Sequence, residues 1–264
     1  MTTTWRGQWA LVTGASSGIG AEFARQLALS GTNLVLTARR ADRLEALADK
    51  LHTDHGIQVE TFSADLELAS APSEIYRFVA AKNIEIGLLI NNAGFGSFGE
   101  FSTLDAEREA AMVNVNCVAV VRLTHLFLPG MIARRKGGIL IVASTASFQP
   151  IPYLATYAAT KVFDRFFAEA LAEELKPRGI HVCALSPGPT TSEFFKVATI
   201  PTMGKSESVD VVVARGLEAL AQGKSSKVSG FGNWFGTEIQ RLVPRGLVTA
   251  MVGRMFRSAI ARQH

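Results

Sequence analysis

ALVTGASSGIG, residues 10–20 of a 264-residue chain, decides the fold. A short apolar run over Ala10–Thr13 is typical of a buried strand, and apolar residues at Phe23 and Leu27 predict a helix over Ile19–Ser30. Glycines stand where the strand turns into the helix, and there free backbone N–H groups and the helix dipole favour a bound anion. The segment therefore predicts a strand, a phosphate-binding turn and a helix.

The spacing of these glycines leaves the purpose of the turn open. They follow the pattern G-x-x-x-G-x-G, whereas the usual dinucleotide fingerprint reads G-x-G-x-x-G. A glycine-rich turn also occurs for purely geometric reasons, but a position directly after the first strand favours phosphate binding. The candidate cofactor-binding residues of the turn are Gly14, Ser16, Ser17, Gly18, Ile19 and Gly20.

The alternation of strand and helix continues along the chain. Short aliphatic runs predict further strands at Asn33–Thr37, Val59–Ser63, Ile86–Ile90, Ile139–Ala143, Ile180–Leu185 and Lys227–Gly230. Helical patterns lie between them, at residues 41–50, 68–81, 104–134 and 153–176. This order predicts an α/β fold with a doubly wound, parallel, Rossmann-like sheet. We expect one domain over residues 1–230, and over 231–264 a helical tail that is not an independent domain.

The composition is that of a globular protein with a sizeable core, since 48% of the residues are apolar and 19% are charged. Two cysteines exclude a disulfide-stapled scaffold and fit a reducing compartment. No uninterrupted apolar run reaches the ~20 residues of a membrane span, and the first residues do not resemble a signal peptide. We expect a cytoplasmic protein. No metal site is expected, because His52 and His55 have no further ligands nearby.

The net charge of +4 is unevenly distributed. From Lys224 to the C-terminus there are seven Lys or Arg and one acid, Glu238, so this tail carries +6 and residues 1–223 sum to −2. A nucleic-acid-binding protein would present basic residues over a recognisable docking surface. The nearly neutral body therefore predicts no nucleic-acid partner, and the basic tail needs its own explanation.

Two arginines, Arg39 and Arg40, follow the second predicted strand, and no acid occurs before Asp42. In dinucleotide-binding folds an acid at this point accepts the ribose 2′-hydroxyl of NAD, whereas arginine binds the 2′-phosphate of NADP. Solvated charges at a helix start are the alternative interpretation. We expect NADP(H) in preference to NAD(H), with Arg39 at the phosphate.

Tyr157 and Lys161 stand four residues apart on a long predicted helix, so both side chains share one helix face. A free phenol is a poor acid–base catalyst at neutral pH because its pKa is near 10, and a nearby ammonium should lower that pKa. The pattern alone is common on ordinary helices. Other polar motifs at the ends of predicted strands make the pair more informative. Ser144 follows the fifth predicted strand, Asn92-Ala93-Gly94 follows the fourth, and Asn116 lies in the helix after the fourth strand.

With these motifs in register, the chain resembles the short-chain dehydrogenase/reductase family, in its shorter, non-extended branch whose cofactor motif is T-G-x-x-x-G-x-G. The resemblance covers roughly residues 7–200, with NNAG at 91–94, Ser144 thirteen residues before Tyr157, and Pro187-Gly188. It implies an oxidoreductase that transfers hydride between NADP(H) and a carbonyl or secondary alcohol. It also implies a homodimer or homotetramer.

The resemblance implies a role for each matching residue. Tyr157 corresponds to the general acid/base, Ser144 to the residue that holds the substrate oxygen, and Lys161 to the one that binds nicotinamide ribose and lowers the tyrosine pKa. Asn116 corresponds to the residue that holds a water in a proton relay, with Asn114 as a competing candidate. The other implied cofactor contacts are Asp65 and Leu66 at the adenine, Asn92, Ala93 and Gly94 after strand four, and Pro187, Gly188 and Thr190 at the nicotinamide end.

Phenylalanines after strands four to six favour an apolar carbonyl or alcohol as substrate, although each is equally well explained as a packing residue. They are Phe95, Phe98, Phe148, Phe194 and Phe195. These loops carry no cluster of Arg or Lys that would bind a phosphorylated sugar.

Apolar residues of the tail form two adjacent rows at helical spacing. The rows are Leu247, Met251 and Met255, and Val248, Val252 and Phe256. Such a helix could cover the substrate pocket, pack on a neighbouring subunit or make peripheral contact with a membrane, and the first two are favoured.

Two alternative functions stay open at this stage. One is an NAD-linked alcohol dehydrogenase, which would bind NADH more tightly than NADPH. The other is a non-catalytic NADP(H)-binding regulator, which predicts a damaged catalytic set, whereas Ser144, Tyr157 and Lys161 are all present.

Overall fold

Seven strands form one sheet in the computed structural model, which describes residues 3–191, 193, 194, 198 and 206–260. All pairings between neighbouring strands are parallel, in the order β3-β2-β1-β4-β5-β6-β7. The strand order reverses between β1 and β4, and such a switch point opens a crevice at the carboxyl ends of the strands. The strands are β1 (Trp9–Thr13), β2 (Asn33–Ala38), β3 (Val59–Ser63), β4 (Ile86–Asn91), β5 (Gly137–Val142), β6 (Ile180–Ser186) and β7 (Ser226–Val228).

The helices of the described residues cover both faces of the sheet. They are α1 (Gly18–Leu29), α2 (Ala41–His55), α3 (Ala71–Ala81), α4 (Ala106–Val113), α5 (Ala119–Arg134), α6 (Ala155–Leu175), α7 (Val209–Ala221), α8 (Phe231–Ile239) and α9 (Arg245–Ile260). Between α4 and α5 the chain makes a π-helical turn at Asn114–Val118. Turns of this kind are frequent at functional sites.

Alternate strand residues divide the core into two layers, because successive side chains of a strand point to opposite faces. Val12 of β1 packs in a cluster with residues of α1, α2 and α7. Its neighbour Leu11 packs in a second cluster with residues of α3, α5 and α6. Both side chains are fully buried, which is why the strands read as continuous apolar runs.

The predicted fold class is confirmed, and the differences concern the bounds of elements. Helix α2 continues to His55, five residues beyond the predicted end, and stops at Gly56, whose φ of 65° is the left-handed conformation that ends helices. Helix α3 begins at Ala71 rather than residue 68. Helix α7 was not predicted, because its valines and alanines give a run that is also compatible with a strand.

The helical segment Ala106–Arg134 is long and apolar enough to cross a membrane, with a mean hydropathy of 1.5 in its most apolar window. The sequence predicted a helix over residues 104–134 but no membrane span, because polar residues interrupt its apolar run. Here it lies against the sheet, and Leu123 and Phe127 of α5 pack in the second core cluster. Half of the apolar window is buried inside the protein, so we interpret it as a core helix.

The C-terminal helix α9 packs on the body of the protein through one face. Val252 and Phe256 are buried in a third cluster together with Tyr157. A Cβ at Gly253 would lie 3.2 Å from Pro152 Cγ, so the helix backbone approaches the loop before α6 closely. Arg257 Nε donates a hydrogen bond to the Tyr153 hydroxyl at 3.2 Å.

Candidate active site

A cleft of about 730 Å³ lies at the carboxyl ends of the strands, within the roughly 300–1,000 Å³ of small-molecule sites. Its walls come from the loops that follow β1 to β6, where open parallel sheets bind ligands. Every candidate site residue except Asn116 lines this cleft: Gly14, Ser16, Ser17, Gly18, Ile19, Gly20, Arg39, Asp65, Leu66, Asn92, Ala93, Gly94, Ser144, Tyr157, Lys161, Pro187, Gly188 and Thr190.

The glycine-rich turn has the geometry of an anion cradle. Gly14 and Gly18 adopt φ values of 66° and 53°, which side chains disfavour. A Cβ at Gly20 would lie 2.3 Å from the Gly14 carbonyl oxygen, so only glycine lets α1 pack this close to the turn. Ser17, the N-cap of α1, makes no capping hydrogen bond with its side chain. Backbone N–H groups of the first helical turn are therefore available to a pyrophosphate.

Thr13 and Asn92 fix the two central loops against each other. Thr13 Oγ1 accepts hydrogen bonds from the backbone N–H groups of Asn92 and Ala93, each at 2.9 Å. In return Asn92 Nδ2 donates to the Thr13 carbonyl at 2.8 Å. These bonds connect the ends of β1 and β4 at the switch point of the sheet, and they rigidify the floor of the cleft.

The structure distinguishes the two arginines after β2. Arg39 forms an exposed ion pair with Glu67 at 3.0 Å. Arg40 donates to the hydroxyl oxygens of Ser16 and Ser17 at 3.0 and 2.8 Å. Sequence reasoning chose Arg39 alone, because spacing cannot tell which of two adjacent side chains turns toward the glycine-rich turn.

Glu193 was also missed by the sequence analysis. Its carboxylate lies 3.1 Å from Arg40 Nη1 and 3.0 Å from Arg43 Nη1, although about 150 residues separate it from both arginines. Hydrogen bonds from Arg43 and Arg40 hold its pKa below the ordinary value for glutamate. Glu193 therefore joins the segment after β6 to the arginine side of the cleft.

Tyr157 and Ser144 lie together at the other end of the cleft, and only 9% of Tyr157 is exposed. Burial raises the pKa of Tyr157, while the Lys161 ammonium and a hydrogen bond from Ser144 act in the opposite direction. The sign of the lysine effect agrees with the sequence-based expectation, but the net shift is upward. The expectation of an acidic phenol is corrected, because the cost of burying a phenolate exceeds the attraction of the ammonium.

Lys161 is held between a carbonyl and a carboxylate. Its Nζ donates to the Val142 carbonyl at 2.8 Å and to Asp164 Oδ2 at 2.9 Å, and it lies 5.9 Å from the centre of the Tyr157 ring. Burial disfavours the ammonium, but the carboxylate of Asp164 and the Tyr157 oxygen raise the pKa of Lys161 above its ordinary value. Lys161 therefore stays charged although it is buried.

Asp164 is the functional residue that sequence reasoning missed most clearly. It lies one helical turn after Lys161 on α6, and its side chain is 1% exposed. Burial raises the pKa of Asp164 to about 6, against the lowering effect of Lys161. The negative charge of Asp164 also contributes to the raised pKa of Tyr157. Spacing at i and i+3 on a helix could have indicated the contact with Lys161, but not its burial.

Asn116 lies in the π-helical turn, fully buried behind the cleft. Its Oδ1 accepts from the Phe95 N–H at 3.1 Å, and its Nδ2 donates to the Phe95 carbonyl and to Thr160 Oγ1 at 3.0 Å each. A Cβ at Gly94 would lie 3.0 Å from Asn116 Oδ1 and 3.5 Å from Lys161 Nζ, so both side chains border Gly94. Asn114, the competing candidate, is exposed. The role of Asn116 in a proton relay stays a prediction.

The substrate end of the cleft is apolar. Phe95 and Phe194 line it, and the rings of Phe194 and Tyr157 are 5.4 Å apart. Phe98 is buried against Phe256 of α9 instead. Phe148 packs under the guanidinium of Arg165 rather than lining the cleft. Phe195 lies outside the described residues. Among those residues, no group of three or more His, Cys, Asp or Glu could hold a metal ion.

A family model described as short chain dehydrogenase matches residues 8–200. The chain belongs to the short-chain dehydrogenase/reductase family. A very-long-chain 3-oxoacyl-CoA reductase of Phaeosphaeria nodorum is 36% identical over 196 residues, which cover 73% of this chain and 58% of that protein. This chain thus spans about three fifths of the length of that curated relative.

Two solved structures of this dehydrogenase family share its architecture. A short-chain dehydrogenase from Sphingobium yanoikuyae, solved in complex with NADPH, has a TM-score of 0.81 and 33% identity and covers 91% of this chain and 95% of its own. A bulky-bulky ketone specific alcohol dehydrogenase from Comamonas testosteroni has a TM-score of 0.77 and 31% identity, covering 91% and 93%. The family to which the chain belongs is one of dehydrogenases.

Replacing Asp164 by Asn tests how the buried carboxylate acts on the tyrosine. The amide oxygen can keep the hydrogen bond from Lys161, but the negative charge is lost. We expect the pKa of Tyr157 to fall, because the charge of Asp164 raises it in the wild type. Alcohol oxidation needs the phenolate, so its rate should reach half-maximum at lower pH in Asp164→Asn. The measurement is the pH dependence of kcat/KM.

Glu173→Gln is the matched control, because Glu173 is an exposed acid farther along the same helix. Its pH profile should coincide with that of the wild type. An unchanged profile for Asp164→Asn would contradict this account of the pair. A shift to higher pH would mean that Lys161 loses its charge without Asp164.

Proposed function

We propose that the protein is an NADP(H)-dependent reductase of an apolar, bulky ketone. The observation that carries this proposal is the meeting of Ser144, Tyr157 and Lys161 at the apolar end of one cleft, with two arginines at the other end. The NADPH complex of the Sphingobium yanoikuyae protein supports the choice of cofactor. The ketone specificity in the name of the Comamonas testosteroni protein supports the substrate class.

The residues of the cleft fit a dinucleotide phosphate. The positive φ values of Gly14 and Gly18 disfavour side chains there, and the turn can present N–H groups to a pyrophosphate. Arg40 and Arg39 would hold the 2′-phosphate, and Asp65 and Leu66 line the cleft where the adenine would lie. Val142 and Asp164 take two of the three N–H groups of Lys161 among the described contacts, which leaves one for a ribose hydroxyl.

Tyr157 acts as the acid in the direction of reduction. The hydroxyls of Ser144 and Tyr157 both donate to the carbonyl oxygen of the substrate, where negative charge develops. Because its pKa is raised, Tyr157 is protonated at neutral pH and can give its proton to that oxygen. The Lys161 ammonium then stabilises the phenolate. When bound, the dinucleotide supplies the hydride.

A 3-oxoacyl thioester is the second candidate substrate. The name of the Phaeosphaeria nodorum relative favours it, and its keto group would meet the same two hydroxyls. NADPH consumption measured with bulky aromatic or alicyclic ketones and with long-chain 3-oxoacyl-CoA distinguishes the two. Faster turnover of the ketones supports the proposed substrate class. Turnover of 3-oxoacyl-CoA alone would contradict it and would identify the 3-oxoacyl thioester as the substrate.

Tyr157→Phe should lower kcat by on the order of 10²–10⁴-fold, the usual contribution of a general acid or base. The phenyl ring preserves the packing on Phe194, so NADPH binding should be unchanged when measured by fluorescence titration. Tyr76→Phe, an exposed position on α3, should keep full activity. If Tyr157→Phe retains most of its kcat, the assignment of the acid is wrong.

Arg40→Ala should weaken NADPH binding by about tenfold or more, since a hydrogen bond to a charged group contributes ~1.5–3 kcal/mol. NADH binding should change little, because NADH has no 2′-phosphate. Arg39→Ala should act in the same direction with a smaller effect, because Arg39 is paired with Glu67 at the rim. Dissociation constants for both dinucleotides provide the measurement.

The control for these variants is Arg25→Ala on α1, an exposed arginine paired with Glu22 outside the cleft. It should bind both dinucleotides like the wild type. Equal losses for NADH and NADPH in Arg40→Ala would refute a role at the 2′-phosphate. Tighter binding of NADH than of NADPH by the wild type would refute the preference for NADP(H) itself.

A further inference from the structure

The last two helices expose an unusual amount of apolar surface. Nine of the nineteen large apolar side chains that are exposed in the described part of the chain lie within residues 231–255. Six of these side chains define what we call the C-terminal apolar surface: Phe231, Trp234 and Phe235 on α8, and Leu247, Met251 and Met255 on α9. These six side chains are between 46% and 77% exposed. The rings of α8 contact one another, with the centre of the Phe231 ring 5.7 and 6.4 Å from the centres of the Trp234 and Phe235 rings. The three α9 side chains share one helix face, because they are spaced four residues apart. Exposed apolar groups of this kind mark an interaction site.

This surface is separate from the face that covers the cleft. Val252 and Phe256 are 8% exposed, because they pack on the substrate end. Leu247, Met251 and Met255 are 59%, 67% and 49% exposed. Covering the pocket therefore accounts for one row of α9 and leaves the other without a partner in the described structure. A helix with two apolar rows contacts two different environments.

The charges around the surface identify the environment it fits. The segment from Lys224 onward carries +6 and contains a single acid. Lys224, Arg245 and Arg254 are exposed, and Lys224 and Lys227 border a shallow depression together with Phe231 and Trp234. Apolar and aromatic side chains mixed with basic ones are typical of surfaces that lie at an anionic membrane.

A second copy of the chain fits this surface less well. Closed dimers use the same patch on both subunits, so a symmetric contact here would bring one +6 segment against another. Like charges placed together in an interface oppose association. The charge pattern thus favours an anionic partner over self-association.

We propose that the C-terminal apolar surface docks the protein peripherally on membranes that contain anionic phospholipids. Phe231, Trp234 and Phe235 would enter the interfacial region, where aromatic rings concentrate. Leu247, Met251 and Met255 would lie along the lipid boundary, with the basic side chains at the headgroups. The membrane contact itself does not depend on the proposed reaction.

The docked orientation also places the cleft near the lipid. The same two helices and the turn after α8 line the cleft with Gly232, Gly236, Gln240 and Phe256. If the proposed apolar substrate is correct, it would reach the site from the bilayer, where such a compound concentrates.

Sedimentation of the full chain with vesicles tests the proposal. We use phosphatidylcholine vesicles and vesicles of equal parts phosphatidylcholine and phosphatidylglycerol. The wild type should pellet with the second kind and less with the first, and high salt should release it. Leu247→Gln combined with Met251→Gln should abolish most of the pelleting, because both side chains are exposed and the fold does not need them.

Leu29→Gln is the matched control, since Leu29 is 49% exposed on α1, away from this surface, and it should pellet like the wild type. Lys224→Gln combined with Arg245→Gln should lower the partition coefficient by about tenfold or more on anionic vesicles, given the gain for each basic residue near such a surface. Turnover of a small water-soluble ketone serves as the readout of the reaction, so failure of the membrane contact and failure of the proposed function are told apart.

Two results would overturn the proposal. One is a wild type that pellets with neither kind of vesicle, or that pellets equally when both apolar side chains are replaced. The other is a dimer in analytical ultracentrifugation that the Leu247→Gln, Met251→Gln variant converts to a monomer without any change in vesicle binding. That second result would assign the surface to another copy of the chain.

Discussion

The ammonium of Lys161 is held in the protein interior by the Val142 carbonyl and the Asp164 carboxylate, and the chemistry of the site depends on this arrangement. A lone buried lysine would tend to lose its proton, because burial disfavours the charged form. The carboxylate keeps it charged at the cost of burying a second ion. Burial raises the pKa of Tyr157 above its ordinary value, and the ammonium, whose charge Asp164 partly neutralises, does not offset that rise. A phenol at such a site is protonated at neutral pH.

The fold brings these groups together by placing the ends of parallel strands at one edge. The switch point between β1 and β4 is closed by the hydrogen bonds between Thr13 and Asn92. From there the cleft extends in two directions, toward Arg40 on one side and toward Tyr157 on the other. Glu193 connects the segment after β6 to Arg40 and Arg43. Both ends of the cleft are thus linked to that segment, which also carries Phe194 against the Tyr157 ring.

The sequence predicted the order of the strands and of most helices, and most of its candidate residues line one cleft, because both follow from short-range patterns. Buried strands read as apolar runs, and the loops after them must meet at one edge of a parallel sheet.

Asp164 and Glu193 were missed for different reasons. The contact of Asp164 is local, but its importance comes from burial, which depends on packing from several elements. The contact of Glu193 joins residues about 150 positions apart, and no pattern in the sequence records it. The predicted direction of the Tyr157 pKa shift was wrong, because the sequence shows the neighbouring charges but not that burial removes water from the phenol.

The C-terminal tail shows the same division between pattern and packing. Its two apolar rows were visible in the sequence, but only the structure shows that Val252 and Phe256 are buried while Met251 is exposed.

The most direct measurement of the central claim is the ionisation of Tyr157 followed by NMR of ¹³C-labelled tyrosine, which is feasible because the chain has three tyrosines. We predict that Lys161→Met raises the pKa of Tyr157 above that of the wild type, because the stabilising ammonium is gone. An unchanged or lower pKa in Lys161→Met would contradict the claim that this ammonium acts on the phenol.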